Sequence, residues 1–252
     1  MLSRYLALAI LAITAYAPLA HASEEGHADF WRQARISIDV DGKVTALKFV
    51  NWKAKKDVVG EKLAPIIRSW VFEPGRVNGL PAPTETTLTL RMDMQKVSNE
   101  NYAITMLSAD TGPAWEAIKP PEYPMLQLKY SIEAEIVVLV DYGADGRIEK
   151  MAVEEALSNG SKSDVQAFVN AIDKEVKSNW RFHPEVVDGH GIAGVVRVPV
   201  EFCTDESGSK CELMSKRLKQ RLAERGESIL SKLPVALNSQ TKLLTQVVGT
   251  TL

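Results

Sequence analysis

The sequence is poor in the residues that most catalytic and metal sites need. Its 252 residues include two cysteines and four histidines. The cysteines stand as Cys203 and Cys211, a spacing that does not match the Cys-x-x-Cys of a redox-active pair. His21 falls in the N-terminal apolar region, and His183 and His190 flank a loop that also holds Glu185 and Asp188. That spacing fits no standard zinc-ligand pattern. There is no glycine-rich phosphate loop, nucleophile elbow or His-Glu-x-x-His helix. The expectation is therefore no enzyme, no catalytic residue, no metal and no cofactor. Excess charge is missing too. The formal net charge is −2, whereas nucleic acid would call for a basic face. Past the N-terminus no apolar run is long enough to cross a bilayer. What is present is ordinary globular material, 45% hydrophobic and 25% charged, enough for a packed core.

The first residues read as an export signal. "MLSRYLALAILAITAYAPLAHASEE" opens with Arg4, continues as an apolar run from Tyr5 to Ala20, and ends in the small-x-small pattern Ala20-His21-Ala22. A membrane anchor needs ~20 apolar residues. This run is shorter and holds Pro18, so cleavage after Ala22 is expected, with a retained anchor as the alternative. In an exported chain, Cys203 and Cys211 in "CTDESGSKC" are expected to form a disulfide. Two free thiols are the alternative.

A ten-residue pattern occurs twice. "WVFEPGRVNG" (70–79) and "WRFHPEVVDG" (180–189) share Trp, Phe, Pro and Gly at the same offsets. Around the second, Ile136–Val140 and Ile148–Val153 flank "GADG" and predict a hairpin. Val165, Phe168, Val169, Ile172 and Val176 then mark one face of a helix capped by Ser163 or Asp164. "VVRVPVEF" predicts a third strand, and Pro199 places it at a sheet edge. Around the first, Ile36, Ile38 and Val40 precede Asp41-Gly42, and Val44, Leu47 and Phe49 follow. Leu63, Ile66, Ile67 and Trp70 predict a short helix with Pro65 in its first turn. "TLTLRMDM" alternates as a strand.

The predicted class is α+β, two tandem small β-β-α-β units, the first degenerate, followed by a C-terminal helix. The expected boundaries are 1–22 signal peptide, 23–94 first unit, 95–119 linker, 120–203 second unit and 204–252 extension. In the extension, Met214, Leu218 and Leu222 carry the helical stripe, with a basic opposite face. "NSQTKLLTQVVGTTL" shows no assignable pattern. Trp70, Phe72, Pro74, Gly79, Trp180, Phe182, Pro184 and Gly189 are expected to be structural. The aromatics bury area, the prolines stop the helices and the glycines allow return turns.

With these elements placed, the second unit resembles the C-terminal domain of the TonB energy-transducer family. The resemblance rests on Pro121-Glu122-Tyr123-Pro124, the strand leading to Asp145-Gly146, Trp180-Arg181-Phe182-x-Pro184 with Gly189, and Val198-Pro199-Val200-x-Phe202. It implies a periplasmic α+β module that recognises outer-membrane or other envelope proteins in TonB-dependent transport. It also implies a mode, addition of an extended partner segment beside the last strand. The contact residues implied are Tyr123, Pro124, Val195, Val196, Arg197, Val198 and Val200. Nucleic acid is not an expected partner, and membrane association is expected only through partners unless the N-terminal segment is retained. The chain departs from an energy transducer in two respects. A transducer's anchor carries Ser and His one helical turn apart, but Ser3 and His21 lie at opposite ends of the apolar run. Its long proline-rich spacer is also missing, since the 12 prolines are scattered. Binding is therefore the expected role. A structural envelope adaptor is the alternative, with a membrane-anchored transducer as a lesser one.

Overall fold

In a computed structural model of the protein, the described residues are 22–23, 27–50, 57–98, 101–204 and 234–251, with 216, 220 and 224 as single positions. Residues 1–21 of the expected signal peptide and Cys211 lie outside them. So do Met214, Leu218 and Leu222 of the expected C-terminal helix. Lys216, Gln220 and Glu224 are helical and exposed. Among the described residues no helix is long and apolar enough to cross a membrane.

The chain begins with β1 (His27–Ile38), β2 (Val44–Val50), α1 (Val58–Arg68), the short β3 (Phe72–Glu73) and β4 (Thr84–Lys96). It continues through β5 (Tyr102–Gly112), β6 (Ala114–Ala117) and α2 (Met125–Lys129). Then come β7 (Ala134–Tyr142), β8 (Ile148–Ser158), α3 (Lys162–Asn179), β9 (Arg181–His183), β10 (Val186–Val187) and β11 (Gly194–Phe202). Two short pieces near the end are β12 (Val235–Ala236) and β13 (Lys242–Leu243). The protein thus mixes helices with antiparallel sheet, and strand, strand, helix and strand follow one another in the same order twice.

The first sheet runs β2–β1–β4–β5. Ala34, Ile36 and Ile38 of β1 and Leu88, Leu90 and Met92 of β4 face Leu63, Ile67, Trp70 and Phe72 in one core. The second sheet runs β8–β7–β11–β12. Its core joins Ile136, Val138 and Val140 of β7 to Phe168, Ile172 and Val176 of α3, with Trp180 and Phe182 at the end. Val137, on the other face of β7, is also fully buried, which accounts for the unbroken apolar run. The sheets meet where β10 pairs with Thr84 and Glu85 at the start of β4.

Several local expectations need correction. The span 95–119, read as a linker, holds β5, which pairs with β4 from Thr87 to Lys96, and β6, which pairs with β9. The first helix starts at Val58, so Pro65 is interior. Its N-cap is Asp57, whose carboxylate accepts from Gly60 N (2.8 Å) and pairs with the buried Arg32. The cap of α3 is Ser161, in a reciprocal capping box with Asp164.

Candidate partner-binding edge

The repeated Trp-x-Phe-x-Pro pattern packs the same way in both places. Trp70 and Trp180 are each 5% exposed, and Phe72 and Phe182 are fully buried. Phe72 N donates to Gly42 O and Phe182 N donates to Gly146 O, both at 2.9 Å. Those glycines close the two hairpins at φ +80° and +78°. A Cβ on Gly42 would stand 2.0 Å from Phe72 O, and one on Gly146 would stand 1.8 Å from Phe182 O. Only glycine allows the phenylalanine strand to approach this closely. Further on, Asn78-Gly79 and Asp188-Gly189 both have positive φ at each position, the tight turn that Asn-Gly and Asp-Gly favour.

Each phenylalanine strand also receives an added segment. Phe182 pairs with Trp115 of β6, and Phe72 pairs with Leu243 of β13. The Trp115 ring stacks on Phe182 at 4.3 Å and meets Trp180 edge-on at 5.0 Å. Trp180 Nε1 donates to Lys119 O (2.9 Å). The sequence reading missed Trp115, although a lone tryptophan in a polar stretch was a usable signal.

Tyr123 and Pro124 sit beside this core. Tyr123 is half-buried between Phe168 and Phe202, and its hydroxyl donates to Ile132 O (2.6 Å). Burial first, then the charge of Glu133, pushes its pKa up to about 12. Pro124 caps α2, on which Met125, Leu126 and Leu128 are exposed, as is Tyr130 at its C-cap. Lys119 contacts Glu175, a buried carboxylate at the end of α3. Burial alone would raise the pKa of Glu175, but hydrogen bonds from Asn179 and Lys119 pull it below the ordinary range.

The strand β11 of the second sheet has two different sides. Along one it pairs with all of β7, from Gly194↔Tyr142 to Phe202↔Ala134. Along the other, Val196 and Arg197 pair with Ala236 and Val235. Leu237 N donates to Val195 O (3.0 Å), and Val195 N donates to Asn238 Oδ1 (2.9 Å). Backbone groups alternate sides along an antiparallel strand, so the N–H and C=O of Val195 and Arg197 face outward. Position 199 faces outward too, and proline there removes only an outward donor. The side chains of Val196, Val198 and Val200 point into the core. Arg197 is buried on the opposite face with a two-bond pairing to Glu154 (2.6 and 2.7 Å). The expected contact residues thus fall into three groups: outward backbone at Val195 and Arg197, core valines at 196, 198 and 200, and a structural Tyr123-Pro124.

The corresponding side of β4 in the first sheet is filled. Thr84 and Glu85 hold β10, and Thr87 to Lys96 hold β5. Below the junction lies Glu185, 2% exposed, which accepts from Thr86 Oγ1 (2.7 Å), Ser239 Oγ (2.9 Å) and Gln240 N (2.7 Å). His183 approaches Glu116, and His190 Nδ1 lies 2.8 Å from Asp188 O. Among the described residues no three metal-ligating side chains converge.

No protein-family model matches the chain. Over 85 residues it is 32% identical to Protein TonB from two strains of Xanthomonas campestris pv. campestris. The match takes in 34% of this chain and 35% of each relative, so the chain spans about a third of the length of the curated relatives it matches. The solution NMR structure of the Pseudomonas aeruginosa TonB CTD is 23% identical, at a TM-score of 0.28, over 44% of this chain and 93% of that one. By sequence, one third of this chain is similar to TonB and carries the resemblance to its C-terminal domain family.

Proposed function

We propose that the protein is a periplasmic binding module that captures an extended segment of an outer-membrane or other envelope protein by β-strand addition. The second sheet supplies the site, along the outward side of β11 from Val195 to Val200. The observation that carries this is the edge itself. It already accepts an added strand, through main-chain bonds at Val195 and pairing at Val196 and Arg197. The matching side of β4 holds the long β5 instead, which favours the second sheet. The similarity to TonB supports an envelope partner. In this reading the two strand-strand-helix-strand assemblies are tandem copies of one unit, the first retained as structure. Export, cleavage after Ala22, a Cys203–Cys211 disulfide and a C-terminal covering helix belong to the same proposal.

The test is capture of outer-membrane proteins from a detergent-solubilised envelope, with the wild-type chain and with Val195→Pro. That substitution removes one outward donor and leaves the β7 ladder alone, whereas a proline at Val198 would break the sheet itself. Capture should fall by about tenfold, the effect of roughly 1.4 kcal/mol, which is within the range for a hydrogen bond. Unchanged capture by a folded Val195→Pro chain rejects strand addition at this edge.

A further inference from the structure

The stretch from Asn238 onward showed no assignable pattern in sequence, yet the segment from Pro234 to Thr251 is tied down along its length. It pairs with β11 through Val235 and Ala236 and reaches Glu185 through Ser239 and Gln240. It then pairs with β3 through β13, and it buries Val247 in the first core. Its anchorage is uneven. Val247 is 5% exposed, while Leu237 and Asn238, which hold the outward groups of Val195, are exposed. Ala236 sits against Gly112, where a Cβ would come within 2.6 Å of the alanine methyl.

We infer that Val235–Asn238 is a built-in stand-in for the partner: a displaceable strand that occupies the same edge and shows what chemistry the edge accepts. This rests on the reading of β11 as the binding edge. The ligand it describes is an antiparallel extended segment. It carries a small residue opposite Val196 and a side-chain carbonyl acceptor two residues later, which takes the N–H of Val195. A small residue suits this place because the Ala236 methyl is aimed closely at Gly112. Displacement is confined to Val235–Asn238, because Ser239 and Gln240 bond the buried Glu185 and Thr241 is itself buried, so the edge can open while those anchors and Val247 keep their hold. A partner must therefore compete with an occupant tethered at high effective concentration.

Two measurements on the full chain test this. The first is amide hydrogen exchange of the wild type. Leu237 N–H should exchange at least a hundredfold faster than Val138 N–H in β7, by local opening of the strand. Exchange of Leu237 at the core rate means the strand leaves only on global unfolding and overturns the inference, leaving the binding edge itself undecided against. The second uses Ala236→Leu, which crowds Gly112 and dislodges the strand, with Asn238→Ala as a milder companion. The probe is the synthetic peptide Pro-Val-Ala-Leu-Asn-Ser, residues 234–239 of this chain, followed by fluorescence anisotropy. Its affinity should rise at least tenfold in either folded variant over the wild type. Fast exchange at Leu237 with no gain in peptide binding in either variant shows that the edge opens but takes no strand. That outcome overturns the inference together with the binding reading beneath it.

Discussion

Trp180 and Gly146 do the work that the repeated pattern only hinted at. Trp180 closes α3, bonds Lys119 O and meets Trp115 edge-on. Removing it leaves a cavity that its neighbours cannot fill, so Trp180→Ala should cost about 3–5 kcal/mol. Trp70→Ala should cost a similar amount but loosen the first core ahead of the second, as residue-resolved hydrogen exchange would show. Equal effects on both cores would contradict separate packing. Gly146→Ala should cost more than about 1 kcal/mol, because φ is positive and the new Cβ would collide with Phe182 O. Gly189→Ala is the informative control. Its φ is also positive, at +77°, but nothing lies within 4 Å of a Cβ there. Urea denaturation should therefore rank Gly146→Ala as the more damaging of the two.

At the scale of elements, the legible parts were those whose pattern is local. The apolar face of α3 announced a helix, and the apolar runs of β7 and β8 around "GADG" announced a hairpin. The cap was displaced by two residues because Ser161, Ser163 and Asp164 are all competent, and the reciprocal bonds select Ser161. The start of α1 was hidden because Asp57 gains its hold partly from Arg32, which is 25 residues away in sequence. β5 fell within the expected linker because its hold comes from pairing along β4 rather than from a pattern of its own. The edge on β11 was half legible. Pro199 marked it, but its occupant came from a segment with no periodicity of its own. The cap yields a pH prediction. Hydrogen bonds from Ser161, then Gln127, hold Asp164 below its ordinary pKa. A carboxylate with a lowered folded value stabilises the fold above its unfolded pKa, near 4, and that share is lost as pH falls through the folded value. Ser161→Ala should cost about 1 kcal/mol near neutrality. Its cost should shrink in acid-titrated denaturation curves; a cost that holds constant down to the acid limit would separate the cap from Asp164.

For the whole molecule, Glu185 is where three parts of the chain converge. Its carboxylate joins Thr86 of the first sheet to Ser239 and Gln240 of the terminal segment, and its own backbone belongs to the second sheet's return loop. The sequence placed Glu185 in a loop between two histidines and offered no reason for it to be buried, since its partners lie 99 and 54 residues away. Glu185→Ala would leave the buried Thr86 hydroxyl only its longer bond to Gly112 O (3.3 Å) and take the acceptor from Gln240 N, and a buried group left unpaired costs about 1–3 kcal/mol. The hydrogen bonds of the carboxylate go to Thr86 and to the terminal segment, so the loss should fall first on that joint. Hydrogen exchange should quicken first at Leu237 and Leu244, whose amides bond Val195 O and Val71 O. Amides of α3 and β7 should change little until global unfolding. Glu185→Gln keeps one acceptor oxygen and should fall between the two. A uniform rise in exchange across both cores would mean that Glu185 supports the fold as a whole and does not act as a joint. An unchanged pattern would mean that the terminal segment is held by its strand pairing and by Val247 alone.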